Sequence, residues 1–253
     1  MFGVVFLLCG APGSGKSTFA AEFRELYDRH RLAPQAKRQR EGGGVQNGPP
    51  ELSHILSFDS YLPPTAQWDE SSFRVARTEA LGALHAFLNS PAPAEAETEA
   101  AGAELPRALI VDDYSHLGSM RHSVYKLCRD ARAGAGTGTG TGTGAGQEAA
   151  VDAGAVPLAV LYVQCSLQQA LQRNEQRRAL PASDGSGSSG HVDPLSVRRI
   201  FAELEVPHVG RMCDRLHYTF TSAGSTTDTH STAVGDSAAG DSVEQFLRNM
   251  LQG

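Results

Sequence analysis

"FLLCGAPGSGKSTFAAEF", residues 6–23, is the stretch whose reading decides the fold. An apolar run leads into a turn carrying Gly10, Gly13 and Gly15, and a lysine and a serine then open a helical pattern. From Gly10 to Ser17 the spacing is G-x-x-x-x-G-K-S, and the strand, glycine-bearing turn and helix that this phosphate-binding loop requires all surround it. Glycines let backbone N–H groups turn inward and approach phosphate oxygens closely. The helix that follows presents its positive N-terminal end to the same anion. The reading is a nucleotide-phosphate cradle formed by Gly10, Ala11, Pro12, Gly13, Ser14, Gly15, Lys16, Ser17 and Thr18. Lys16 is expected to reach the β- and γ-phosphates, and Ser17 to ligate Mg²⁺.

Outward from this loop, strand-like and helix-like stretches alternate. Residues 3–10 form a first buried strand and a helix runs from Lys16 to about Arg31. "HILSFDSYL" is a second strand ending at Asp59, and residues 69–89 read as a helix with Phe73, Val75, Ala76, Ala80, Leu84, Phe87 and Leu88 as its apolar residues. "RALIVDD" (107–113) is a third strand, and 119–132 a helix with Met120, Val124, Leu127 and Cys128 on one face. Residues 156–165 give a fourth strand and 166–178 the next helix. Such alternation predicts an α/β fold of the P-loop type, a parallel sheet covered by helices on both faces. The kinase-like domain is expected to fill residues 1–181, interrupted by flexible inserts at about 33–50, 90–105 and 133–155. A linker at 182–190, a segment at 191–220 and a flexible tail at 221–253 with a short terminal helix complete the chain. The Gly-, Ser-, Thr- and Pro-rich composition of these inserts cannot bury enough apolar surface to order.

Three further groups carry chemistry. "LIVDD" has the form of a strand ending in acid beside the phosphate site, where Asp112 or Asp113 can hold Mg²⁺ through water. The alternative is a strand that simply ends in a polar turn. Asp59 closes the second strand, where an acid can accept the proton of an attacking hydroxyl; the alternative is a turn or N-cap aspartate. "RNEQRR" places Arg173 and Arg177 four residues apart on one helix face, either to stabilise charge on a transferring phosphoryl group or as a solvated basic face. Arg178 points elsewhere on that helix. Trp68 reads as a packing residue or a cover for a bound base.

Bulk properties exclude several classes. A composition of 40% hydrophobic and 20% charged residues suits a globular protein, and the net charge of -6 offers no global basic field for nucleic acid. The four cysteines lack C-x-x-C pairing or metal spacing, which favours a reduced compartment and a cytoplasmic location. The opening residues lack a basic flank and a small-residue cleavage site, and are too short to span a bilayer. No Ser/His/Asp or Cys/His nucleophile pattern is present.

Four stretches together resemble the O-phosphoseryl-tRNA(Sec) kinases: "GAPGSGKSTFA", "IVDDYSHLGSMRHSVYKLCRDA" (110–131), "VQCSLQQALQRNEQRRALP" (163–181) and "VDPLSVRRIFAELEVP" (192–207). The resemblance covers about 1–32, 52–89, 107–132 and 156–220. It implies phosphorylation of the serine on seryl-tRNA(Sec) with ATP and Mg²⁺, Lys16 and Asp59 acting at the reacting groups and Arg173 and Arg177 near the γ-phosphate. Asp112 and Arg121 also match positions of the family. Transfer RNA would be met through a local patch that includes Arg198, Arg199, Arg211 and Arg215. Two other readings share the loop: an Elongator-associated, tRNA-binding regulatory ATPase, and a small-molecule P-loop kinase.

Overall fold

The computed structural model describes residues 2–42, 53–62, 70–90, 107–113, 115–133, 156–179, 192–221 and Phe246. The predicted segments at 43–50, 91–105, 134–155 and 182–190, the tail apart from Phe246, and Trp68 lie outside these residues.

Five strands form one sheet: β1 (Phe2–Cys9), β2 (Ser53–Ser57), β3 (Arg107–Asp112), β4 (Leu158–Gln164) and β5 (His217–Thr221). Their order is β2-β3-β1-β4-β5 and every pairing is parallel. The helices α1 (Lys16–Gly42), α2 (Glu70–Asn89), α3 (Gly118–Ala133), α4 (Leu167–Ala179) and α5 (Pro194–Glu203) connect them, with a short 3₁₀ turn at Phe58–Tyr61 directly after β2.

The unbroken apolar run of β1 follows from its central position. Val5, Leu7 and Cys9 point to the side covered by α2 and α3, where they meet Leu84, Val124 and Cys128. Phe6 and Leu8 point to the other side, against Ala20, Phe23 and Tyr27 of α1. Val5 to Cys9 all have 0% exposure, so alternating polarity has no use here. Each such side chain contributes roughly 1.5–3 kcal/mol when fully buried.

Four elements differ from the sequence reading. α1 continues past Arg31 to Gly42, because the Ala, Gln, Lys and Arg residues beyond Pro34 are good helix formers. The buried stripe of α3 is Arg121, Val124 and Cys128, leaving Met120 and Leu127 half-buried. On α2, Val75 is 58% exposed, since it lies about 100° around the helix from Ala76. No sequence signal marks β5 as a strand; it extends the sheet beside β4, bringing part of the 191–220 segment into the sheet. Phe246 packs on this edge, its ring 4.1 Å from Tyr218 and 6.2 Å from Phe23.

Side-chain bonds to backbone close the segment before α5 onto α4. Buried Asn174 donates to Val192 O (2.6 Å) and accepts from Val192 N (2.9 Å). Asp193 then caps α5 by accepting from Ser196 N (3.0 Å), with Pro194 in the first turn. No described helix is long and apolar enough to cross a membrane.

Candidate nucleotide and phosphoryl-transfer site

Parallel strands put the loops that follow them at one edge of the sheet, and the chemistry-bearing residues gather there. The turn after β1 has positive φ at Gly10 (149°), Gly13 (80°) and Gly15 (96°). At Gly13 a side chain is also sterically excluded: a Cβ would stand 2.5 Å from the carbonyl oxygen of Ala170 in α4. α4 therefore packs directly on the outside of the loop. Arg173, one turn further along α4, donates to the carbonyls of Ser14 (3.1 Å) and Gly13 (3.4 Å). With its carbonyls engaged from outside, this part of the loop keeps its inner side for an anion. Ser14 Oγ is buried without a protein partner, a polar need within the loop that a ligand can meet.

Lys16 is nearly buried, with Nζ 3.0 Å from Gly10 O and 3.0 Å from Ala11 O. Burial pulls its pKa below the ordinary value, and the carboxylates of Asp112 and Asp59 act against that pull. The ammonium thus waits at the loop, held by carbonyls that it can leave for phosphate oxygens.

Asp112 ends β3. Its carboxyl is pushed up by burial, while the Lys16 charge and a hydrogen bond from Ser17 act in the opposite direction. Asp113 turns to different partners: Arg77 Nη1 at 2.6 Å and the Ser115 hydroxyl. The two acids thus differ in their near partners, although both line the same cleft. Asp112 faces Ser17 and Lys16; Asp113 is tied to α2. Ser17 and Asp112 are hard oxygen donors suited to Mg²⁺, which takes most of its six ligands from phosphate and water. They would hold that cation, and it would neutralise charge on the phosphates when bound. Among the described residues no cluster of three or more His, Cys, Asp or Glu is placed to hold a metal alone.

These groups surround a cleft of about 310 Å³. Pro12, Gly13, Gly15, Lys16 and Ser17 line it together with Asp59, Asp112, Asp113 and Arg177. Asp59 is presented by the turn after β2, where buried Phe58 anchors the backbone and Asp59 itself is exposed. A second hollow of about 190 Å³ adjoins on the Asp59 side, walled by Phe58, Leu62, Phe73, Ala76 and Arg77.

The structure thus gathers Lys16, Ser17, Asp59, Asp112 and Arg177 in one cleft. Arg173 is on the loop's outer side, and Thr18 is exposed at the start of α1 and does not line the cleft. Gly10 and Ala11 act through their carbonyls. Arg121 lies in the core, fully buried, with its guanidinium on Asp214 at 2.7 and 2.9 Å. Its remaining nitrogen donates to the carbonyls of Ser115 (3.1 Å) and Glu205 (2.9 Å), fixing the loop after β3. Arg77 escaped sequence reasoning altogether. The available signal was its place on the apolar stripe of α2, four residues after Phe73 and three before Ala80: a cation there needs a buried partner.

The sheet order and the glycine-rich loop define a P-loop α/β fold. No protein-family model and no curated protein matches the chain. Among solved structures it is similar to Kti12 of Chaetomium thermophilum in complex with ADP-AlF3, at 15% identity over 86% of this chain and 88% of that one, TM-score 0.48. It is also similar to a gluconokinase from Sinorhizobium meliloti 1021, at 14% identity over 86% and 83%, TM-score 0.42. A shikimate kinase from Acinetobacter baumannii in complex with shikimate gives 11% identity over 98% and 91%, TM-score 0.38. The fold assignment rests on the chain's own strand order and loop.

Proposed function

We propose that the protein is an ATP-dependent phosphotransferase whose acceptor is the serine hydroxyl of seryl-tRNA(Sec). The observation that carries the transfer reaction is the meeting of Asp59 with Lys16, Asp112 and Arg177 around one cleft. A nucleotide-binding loop alone needs no carboxylate opposite its lysine; transfer to a hydroxyl does. The acceptor hydroxyl enters on the Asp59 side, where the second hollow adjoins. Asp59 takes the hydroxyl proton as the oxygen attacks the γ-phosphorus, the bond to the β–γ bridging oxygen breaks, and ADP leaves. Lys16 and Arg177 balance charge on the phosphoryl oxygens, and Ser17 and Asp112 would hold Mg²⁺, which would neutralise further phosphate charge.

The choice of acceptor rests on the resemblance carried by "SMRHSVY" and "LQRNEQR". The proposed tRNA patch supports it in part: Arg198, Arg199, Arg211 and Arg215 are all exposed at and beyond α5. Arg199 is held by Glu203 (2.9 Å) and Arg211 by Glu205, so these pairs must open or reorient to meet phosphates.

Incubation with γ-labelled ATP and seryl-tRNA(Sec), with seryl-tRNA(Ser) and free serine as controls, tests the proposal. Label in O-phosphoserine released from tRNA(Sec) supports it. Label on a small molecule alone refutes the tRNA acceptor, and tRNA-stimulated hydrolysis without transfer points to the regulatory ATPase instead.

A further inference from the structure

Two buried carboxylates stand side by side at the end of β3, Asp112 at 7% and Asp113 at 2% exposure. Both act on the charge of Lys16. Two acids in such a place compete for one ammonium and one cation, unless a second cation engages one of them. α2 supplies it. Arg77 Nη1 reaches Asp113 Oδ2 at 2.6 Å, and Nη2 donates to the Met120 carbonyl at 3.0 Å, so the guanidinium is oriented by two elements at once. Its plane region also lies over the Phe58 ring, 5.5 Å from the centroid, beside the turn that carries Asp59. The Arg77 side chain is 12% exposed and that of Asp113 0%, a pairing that solvent screens little.

We propose that Arg77 is a positioning residue for phosphoryl transfer, which draws Asp113 away from the cation so that Asp112 and Ser17 alone are its protein ligands. This rests on the phosphotransfer reading above. With Asp113 engaged by Arg77 and Asp112 facing Ser17 and Lys16, both the number and the direction of charges facing the phosphates are set. With Arg77 gone, the Asp113 charge, still hydrogen-bonded by the Ser115 hydroxyl, is no longer balanced by the guanidinium and acts on the cation: metal is held more tightly, but in a geometry that no longer matches the transferring group.

The test is the Mg²⁺ midpoint for ADP binding, read by calorimetry, alongside turnover of ATP. Arg77→Met is expected to lower the Mg²⁺ midpoint about tenfold, through loss of one positive charge near the site, and to lower turnover at least about 30-fold. Arg77→Lys keeps the charge, and its Mg²⁺ midpoint stays within about threefold of the parent. Adding Asp113→Asn to Arg77→Met removes the unbalanced carboxylate, and both quantities return to within about fivefold of the parent. Should Arg77→Met not fold, Arg77→Gln with and without Asp113→Asn gives the same comparison. An Mg²⁺ midpoint unmoved in the single variant, or a double variant no better than the single, overturns the proposal. The midpoint needs no acceptor. A parent protein with no phosphoryl transfer at all sinks the functional reading, while the midpoint still decides Arg77.

Discussion

Replacing Arg121 by Met tests how the strand-end loops are held in place. Arg121 and Asp214 both have 0% side-chain exposure and meet through two bonds of 2.7 and 2.9 Å. Removing the cation leaves the Asp214 carboxylate buried and uncompensated, at a cost of about 3–5 kcal/mol. The carbonyls of Ser115 and Glu205 also lose their donor, which adds roughly 1 kcal/mol each where water cannot enter. Arg121→Met is therefore expected to lose at least about 4 kcal/mol, a large share of the 5–15 kcal/mol that holds a typical domain. Urea unfolding followed by circular dichroism measures it. Arg211→Met, which removes the exposed ion pair with Glu205, serves as control and should lose less than about 1 kcal/mol. Arg121→Met with Asp214→Leu exchanges the buried pair for apolar contact and should recover most of the loss. Acid adds a second check. Burial pushes the Asp214 carboxyl up, but its Arg121 hydrogen bonds and the Arg121 charge outweigh that, holding it below its ordinary 3.8. A depressed carboxyl gives stability that is present above the unfolded pKa and lost as pH falls through the folded one. In Arg121→Met burial acts on Asp214 unopposed by that charge, so the gap between parent and variant should be largest at alkaline pH and narrow as pH falls, first as Asp214 protonates in the variant and then as it protonates in the parent. A loss under about 1.5 kcal/mol, or a double variant no more stable than the single, refutes this reasoning.

Other outcomes follow from the same geometry. Gly13→Ala sets a Cβ 2.5 Å from Ala170 O at φ 80°; calorimetry should show loss of ATP binding, and unfolding a penalty above the roughly 1–2 kcal/mol of left-handed strain alone. Arg177→Ala should lower turnover about 100-fold with little change in ADP affinity, whereas Arg173→Ala, which releases the loop carbonyls, should weaken ADP binding itself; equal effects on both quantities would contradict the division. Burial pushes the thiols of Cys9 and Cys128 up to about 12 and that of Cys213 up to about 11. Iodoacetamide at pH 8 should therefore spare these three in the folded protein and label all four cysteines in urea, as mass spectrometry of the digest would show.

How much of this the sequence revealed depended on the kind of signal. β1, β3 and β4 are buried on both faces and announce themselves as unbroken apolar runs, and the loop at Gly10–Ser17 is bound by a spacing rule. β5 is not: "HYTFT" is short and mostly polar, and lies at the sheet's edge with only Thr219 and Phe220 buried. Its place follows from packing against β4, a long-range contact that no local pattern encodes. α1 runs through Pro34 to Gly42, past the end near Arg31 that its sequence pattern suggests. The candidate site was half legible. Lys16, Ser17, Asp59 and Asp112 stand at ends of strands or in a spaced motif, so topology brings them together. Arg77 and Arg121 do their work inside helices, where the sequence shows only a cation on an apolar stripe and leaves its partner, Asp113 or Asp214, to tertiary structure.

The most direct measurement is a single-turnover comparison of the parent with Asp59→Asn, using γ-labelled ATP, Mg²⁺ and seryl-tRNA(Sec), with ADP affinity read on the same preparations. The account predicts phosphoserine from the parent, a fall of at least about 100-fold in its rate of formation with Asn at position 59, and ADP affinity kept within about threefold. Transfer at the parent's rate without the Asp59 carboxylate would contradict it.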